Sequence, residues 1–281
     1  MSVYDELMKF KVMPEAFGSW AEYRSVLSNH ILSHTRPNTS VAVFGAGRCN
    51  DIDLSLFTDH FSSVTLLDSD KTSMQEALKQ YRLTDCPKIK PVVVNFTGIT
   101  PDDYRSFSDE LSSLLNVRGS SSDIHILANY ALFKLRRLDQ KSAGYFPNFG
   151  KQCFDYSVTF GVHSQLYNMP AWIWSAFCAN LNAGDSAVER FIQGQNERLI
   201  PRFNDAVLRA TKKRAYFGCE LIQSSTGDAV EGAVESIRDL KNRGIVVRQS
   251  LIDWPFDLKR EIVYRMLIQE VDLPDEISTP S

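Results

Sequence analysis

The sequence predicts an α/β protein built on a mostly parallel sheet with helices on both faces. Three observations carry that prediction. From Ser40 onward, short apolar, β-branched runs alternate with stretches of helical periodicity. The first strands are apolar at nearly every position, as strands covered on both faces are. A tight glycine turn follows the first strand directly.

The elements follow in order. Residues 1–39 read as a helical cap. Trp20, Tyr23, Val26, Leu27, Ile31 and Leu32 recur at helical spacing, Ser19 is a candidate cap, and Pro37 closes the stretch. Ser40 to Phe44 is the first strand and 52–60 a short helix. Ser63 to Leu67 is the second strand, and 70–82 a helix capped by Ser69 or Asp70. Ile89 to Asn95 is the third strand. Residues 100–150 form an inserted helical region. Within it Ile124, Leu127, Ala128, Ala131, Leu132, Leu135 and Leu138 share one helical face, so 123–139 reads as helix, with Ser121, Ser122 and Asp123 as capping candidates. Phe154 to Gly161 is the fourth strand. Helices are expected over 171–181 and 185–213, with Pro201 starting or kinking a turn. Ala215 to Ile222 is the fifth strand and 229–241 an amphipathic helix ending near Gly244. Ile245 to Leu251 and Glu261 to Val271 are two last strands, joined by a turn at Trp254-Pro255-Phe256. This makes seven strands over 40–273, with a tail over 274–281.

Composition excludes several classes. With 281 residues and 43% hydrophobic content the chain buries a large core, and 23% charged residues with a net charge of −3 give no nucleic-acid or disorder signature. The small basic groups Arg136, Arg137, Lys212, Lys213 and Arg214 read as solvated helix faces. The five cysteines, Cys49, Cys86, Cys153, Cys178 and Cys219, form no pair with metal spacing, so no metal site is expected. Scattered, odd-numbered thiols suit a reducing cytoplasm. The N-terminal stretch lacks a signal-peptide apolar region, and no apolar run has the length of a membrane span.

The chemistry-bearing signal lies at Gly45 to Asp51. Glycines there let the backbone turn sharply and approach a ligand. Asp68, at the tip of the next strand about twenty positions beyond Gly47, can accept both hydroxyls of a ribose. A nucleoside-cofactor pocket follows, although a glycine turn with no such ligand has the same local pattern. Dinucleotide enzymes prefer a third glycine where this chain has Asn50. Asp51 beside it would repel a pyrophosphate, whereas a sulfonium cofactor tolerates a nearby acid.

The stretch from Val41 through Gly45, Ala46 and Gly47 to Asp68 resembles motifs I and II of the class I, Rossmann-like S-adenosylmethionine (SAM)-dependent methyltransferases. Cys49 stands where their third glycine often falls. The resemblance runs from about Ser40 to about Val271, by strand order and spacing outside those motifs. It implies SAM as cofactor, with Gly45, Ala46 and Gly47 beneath its methionine part, Asp68 on the ribose and Ser69 beside the adenine; Asn50 and Asp51 join the expected cofactor-binding residues. It implies an adenine contact from Asn95 with Phe96 over the ring, and Gly161 and Val162 facing cofactor and substrate. Asn95 and Phe96 read equally as a strand-end asparagine and a core phenylalanine.

His163, just past the fourth strand, is the candidate base, and reads also as a histidine bonded to nearby backbone. Tyr23, Tyr145, Tyr167, Trp172 and Trp174 are candidates for lining a substrate pocket or for ordinary packing. The Asn/Asp-Pro-Pro-Tyr/Phe motif of amino-methylating DNA enzymes is missing, as are a Pro-Cys nucleophile, a G-x-S-x-G elbow, an H-E-x-x-H helix and a P-loop. The expected function is methyl transfer to a small molecule or peptide. A nicotinamide-dependent oxidoreductase and a non-catalytic methyltransferase-like binding subunit remain the alternatives.

Overall fold

The computed structural model describes residues 2–274 except 11, 12, 14, 119–123 and 225; the capping candidates Ser121, Ser122 and Asp123, and most of the tail, lie outside the described residues. Seven strands form one sheet: β1 (Ser40–Phe44), β2 (Ser63–Asp68), β3 (Ile89–Val93), β4 (Phe154–Phe160), β5 (Thr211–Gln223), β6 (Val246–Asp257) and β7 (Ile262–Asp272). Their order is β3-β2-β1-β4-β5-β7-β6. Strands β1 to β5 run parallel, and β7 lies antiparallel to both β5 and β6.

The helices are α1 (Val3–Phe10), α2 (Ala16–Ser19), α3 (Ala21–Ser33), α4 (Leu54–His60), α5 (Lys71–Gln80), α6 (Pro101–Arg118), α7 (Ile124–Ala143), α8 (Asn168–Leu181), α9 (Ser186–Ala210) and α10 (Ala233–Asn242). Asp53, Asp70 and Asp185 cap α4, α5 and α9 by accepting hydrogen bonds from first-turn amides, as free N–H groups at a helix start require.

Side chains alternate across each strand, so β1 divides the core in two. Val41 and Val43 join Leu27, Ile31, Phe57, Phe61 and Met74 beneath α3, α4 and α5. Ala42 and Phe44 join Phe203, Val207 and Leu240 beneath α9 and α10. The insertion has its own apolar cluster, in which Phe107, Leu111, Leu127 and Leu135 of α6 and α7 meet Tyr4, Ile173 and Trp174. At the outer end of α3, His30 lies 3.2 Å from the buried Glu270 of β7, which Arg214 also meets at 2.9 Å. No helix among the described residues is long and apolar enough to cross a membrane.

Several expectations are corrected. The covered-both-sides reading holds for the inner strands but not for β3, which ends at Val93 and forms the sheet edge with Val92 and Val93 exposed. Trp254-Pro255-Phe256 is not a turn. It lies within β6, and the chain reverses at Leu258–Arg260, where the Asp257 carboxylate accepts two backbone bonds. Ser19 does not cap α3, because its hydroxyl donates to the Glu15 carbonyl. The long helix ends at Ala210, where Thr211 starts β5, and it runs through Pro201.

Phe57 is fully buried and packs edge-on against Phe61, their ring centres 5.4 Å apart. Phe57→Ala should cost about 3–5 kcal/mol of stability, read as a lower midpoint in urea unfolding with an unchanged slope.

Candidate functional site

The strand order reverses between β1 and β4, and the chain leaving their carboxyl ends diverges to opposite faces of the sheet. The crevice so formed is where ligands of open α/β sheets bind. Gly45 and Gly47 turn the chain there with φ of +71° and +48°. A side chain at Gly45 would overlap Val162, just past β4, so the two loops close together only because Gly45 has none. The loop is tied to β2: the Gly45 and Ala46 amides donate to the Leu67 carbonyl at 2.8 and 3.1 Å. Cys49, in the place of the expected third glycine, adopts a left-handed φ of +49°, so the backbone keeps the glycine-like geometry without the glycine.

Asp68 organises the crevice. One carboxylate oxygen accepts from the Gly47 amide at 2.8 Å and the other from the Asp70 amide at 2.8 Å. Each oxygen keeps a lone pair for a further donor. Ser69 beside it is exposed.

The end of the glycine loop is held from behind. Arg24 donates to the carbonyls of Phe17 and Asn50, and the Tyr81 hydroxyl lies within hydrogen-bond distance of the Cys49 and Ile52 carbonyls. The Asn50 side chain meets Gln80 of α5 at 3.4 Å. Asp51 is desolvated, and the charge of Glu220 adds to that effect, so its carboxyl is pushed up to about 7 against opposing hydrogen bonds and Arg24.

Other candidates are placed differently from expectation. The Asn95 amide is engaged in its own turn, its oxygen accepting from the Thr97 and Gly98 amides and its nitrogen donating to the Ile99 carbonyl. In this arrangement it shapes the turn rather than facing a base. Tyr145 packs beneath that turn and donates to the Asn95 carbonyl. Phe96 is half-buried against Phe149 and Phe203.

His163 does not stand as a base at the crevice. It is fully buried, with Nε2 2.9 Å from the Asn204 amide oxygen and Nδ1 3.5 Å from the Cys219 thiol. Its ring packs on Phe203 and Phe217, on the α9–α10 face of the sheet. Desolvation pulls its pKa down to about 4, against the opposing pull of Asn204 and Asp239.

Tyr167 and Trp172 line a cleft of about 200 Å³ with Ser164, Asn196 and Glu231. Trp174 is core. His30, His34 and Glu270 bring potential metal-ligand atoms within 4.8 Å of one another, but Glu270 already faces Arg214 and Arg248.

Sequence reasoning passed over Glu220. The signal was present: a carboxylate inside an otherwise apolar buried strand. Tyr216 and Glu220 project to the α3 face of β5, and Phe217 and Cys219 to the other. Glu220 is 4% exposed and its Oε1 accepts from the Ser164 hydroxyl at 2.9 Å. Gly161 (φ +61°) leaves the space beside it open, since a Cβ there would lie 3.3 Å from Glu220 Oε1 and 3.8 Å from the Trp254 ring.

The strand order, with β7 inserted antiparallel between β5 and β6, and the glycine loop facing an acid at the tip of β2, is the fold of the class I SAM-dependent methyltransferases. No family model matches the chain, and a search of curated proteins finds no significant match. Among solved structures it is similar to magnesium protoporphyrin IX methyltransferase from Synechocystis PCC 6803 with bound SAH (10% identity, TM-score 0.49, covering 92% of this chain and 84% of that one). It is similar to the putative methyltransferase in complex with the Haloferax volcanii Trm112 activator (10%, 0.48, 98% and 99%). It is also similar to the N-methyltransferase NodS from Bradyrhizobium japonicum WM9 (12%, 0.46, 94% and 100%). At such identities and scores these likenesses carry no argument, and the fold is read from the strand order itself.

Asp51 keeps its proton up to about pH 7 in the fold, against a reference value of 3.8. The folded state therefore binds the extra proton between those values and loses relative stability as pH rises through them. Asp51→Asn removes that loss. Its thermal midpoint should gain on the parent's from about pH 4 to pH 7, while a difference constant with pH would show an Asp51 that ionises normally.

Proposed function

We propose that this chain is a SAM-dependent methyltransferase acting on a small molecule or peptide. One observation carries the reading: the Gly45–Gly47 loop and the Asp68 carboxylate are hydrogen-bonded to each other at the strand-order reversal, beside the half-buried acid Asp51. Acids suit a cofactor bearing a sulfonium and an ammonium. They oppose a pyrophosphate, which needs unopposed amides and favourable charge.

The residues present fit SAM. The remaining Asp68 lone pairs are available to the ribose hydroxyls, and the glycine loop offers close backbone approach without a Cβ. Ser69 lies at the adenine side, Phe96 flanks it, and Gly161 with Val162 forms the floor. Asn50 and Asp51 act from behind the loop, on its shape and charge. When bound, SAM supplies an electrophilic methyl group. The protein's contribution is to orient the acceptor, to exclude water with the buried rings of Tyr23, Trp20 and Trp254, and to take up a proton where the acceptor carries one.

Calorimetric titration with SAM, S-adenosylhomocysteine and NADH tests the reading. Micromolar binding of SAM or its product without NADH binding is expected. NADH binding alone would indicate a dehydrogenase, and SAM binding without turnover on any acceptor would favour a non-catalytic subunit. Asp68→Ala should weaken SAM binding at least about tenfold, the loss of a charge-assisted pair of hydrogen bonds. Unchanged affinity in the folded variant would remove Asp68 from the site.

A further inference from the structure

A buried chamber formed by packed aromatic side chains lies on the α3 face, beside Glu220 near the carboxyl end of β5. The charged groups that act on one another there include the acids Asp51 and Glu220 and the cation Arg24. Tyr23 of α3 stacks on Trp254 of β6, with ring centres 5.8 Å apart and planes inclined by 20°. Trp20 meets Trp254 edge-on at 4.8 Å, its indole N–H donating to the Phe256 carbonyl, which pins the N-terminal helices over the sheet. Tyr264 of β7 closes the next side, its ring 5.9 Å from Trp254.

Polar atoms from three elements are buried here without a partner: the Tyr23 hydroxyl, Glu220 Oε2 and the Trp254 indole nitrogen. Tyr23 is 3% exposed and Glu220 4%. Both Asp51 and Glu220 act electrostatically on the Tyr23 hydroxyl and hold it well above its ordinary pKa, after the larger effect of burial. The charge of Glu220 also raises the Asp51 carboxyl. Glu220 thus has one oxygen satisfied by Ser164 and one without a partner.

The backbone is irregular at the same place. The β5–β7 register shifts between Glu220 and Ile222, and the β6–β7 register shifts between Trp254 and Asp257. Bulges re-aim side chains beside functional sites, and two of them flank this chamber. An unpartnered buried carboxylate oxygen is costly, and a hydroxyl and a second acid lie near this one.

We propose that this chamber is the methyl-acceptor pocket and that the acceptor it takes is an amine, held as an ammonium by Glu220, with Tyr23, Asp51 and Trp254 around it. The proposal rests on the methyltransferase reading and names the substrate class for it. An ammonium supplies the donors that Glu220 Oε2 and the Tyr23 oxygen lack. It balances the acidic charge. Carboxylate and phosphate acceptors are repelled by the same acids. For the acceptor to react, its nitrogen needs a free lone pair. One N–H proton passes to Glu220 Oε2, and the electron pair of that bond stays on nitrogen.

The probe is sinefungin, an analogue of S-adenosylhomocysteine that carries a primary amine where SAM carries its methyl group. Calorimetry compares it with S-adenosylhomocysteine on the full chain. The parent should bind sinefungin at least about tenfold more tightly, and Glu220→Gln should abolish that preference while leaving S-adenosylhomocysteine affinity within about twofold. Tyr23→Phe, which removes only the orphan oxygen, should lower the preference by about threefold and reads the same quantity if Glu220→Gln does not fold.

An equal loss of both ligands in Glu220→Gln would place Glu220 on the cofactor's own ammonium and overturn the proposal. A preference unchanged in both variants, or absent in the parent, would overturn it while leaving the methyltransferase reading intact. Failure of the parent to bind S-adenosylhomocysteine, SAM or sinefungin would sink that reading, and the proposal with it.

Discussion

The rest of the molecule depends on one topological constraint, the reversal of strand order between β1 and β4. Crossovers between parallel strands are right-handed. Moving outward from β1 to β2 and β3 therefore lays α4 and α5 on one face, and moving the other way from β4 to β5 lays α9 on the opposite face. The loops leaving β1 and β4 separate, and a crevice opens between them that no side chain of the core needs to fill. Gly45 and Val162 meet at its floor, Asp68 stands at one wall, and Glu220 at the other end.

The crevice is stabilised by hydrogen bonds that hold backbone rather than by packing. Asp68 bridges two amides from different loops, Arg24 and Tyr81 engage the carbonyls behind the glycine turn, and Asn95 closes its own turn three times over. The chamber beside it departs from this pattern. Each buried polar atom left without a partner costs about 1–3 kcal/mol, and the concentration of such atoms at Tyr23, Glu220 and Trp254 contrasts with the satisfied polar groups around His163. Natural sequences tolerate such local conflict where a ligand resolves it.

The buried histidine illustrates why chemical type alone misleads. His163 lies in the expected segment, two residues beyond Gly161, yet the 3₁₀ turn it begins points it under α9 and α10, where Asn204, Cys219, Phe203 and Phe217 enclose it. Glu220 has only strand alternation to recommend it, and alternation carries it to the α3 face, opposite Cys219. Cys219 meets the histidine and Glu220 does not, because a strand sends neighbours to opposite sides.

The sheet, its helices and the glycine–Asp68 pair were legible in the amino-acid sequence because they rest on local rules: hydrophobic period, glycine turns, and acids at strand tips. The same rules misplaced the Trp254-Pro255-Phe256 turn, since proline and aromatic residues fit a bulged outer strand as well as a turn. They also missed the exposure of β3, which depends on its being last in the sheet rather than on its own residues. Only the tertiary structure decided that Tyr23, Asp51, Glu220 and Trp254, nearly the full length of the chain apart, share one chamber. That meeting depends on α3 folding back over the ends of β4 and β5 and on β6 returning beside it. Long-range packing of this kind leaves no spacing in the sequence from which it can be read.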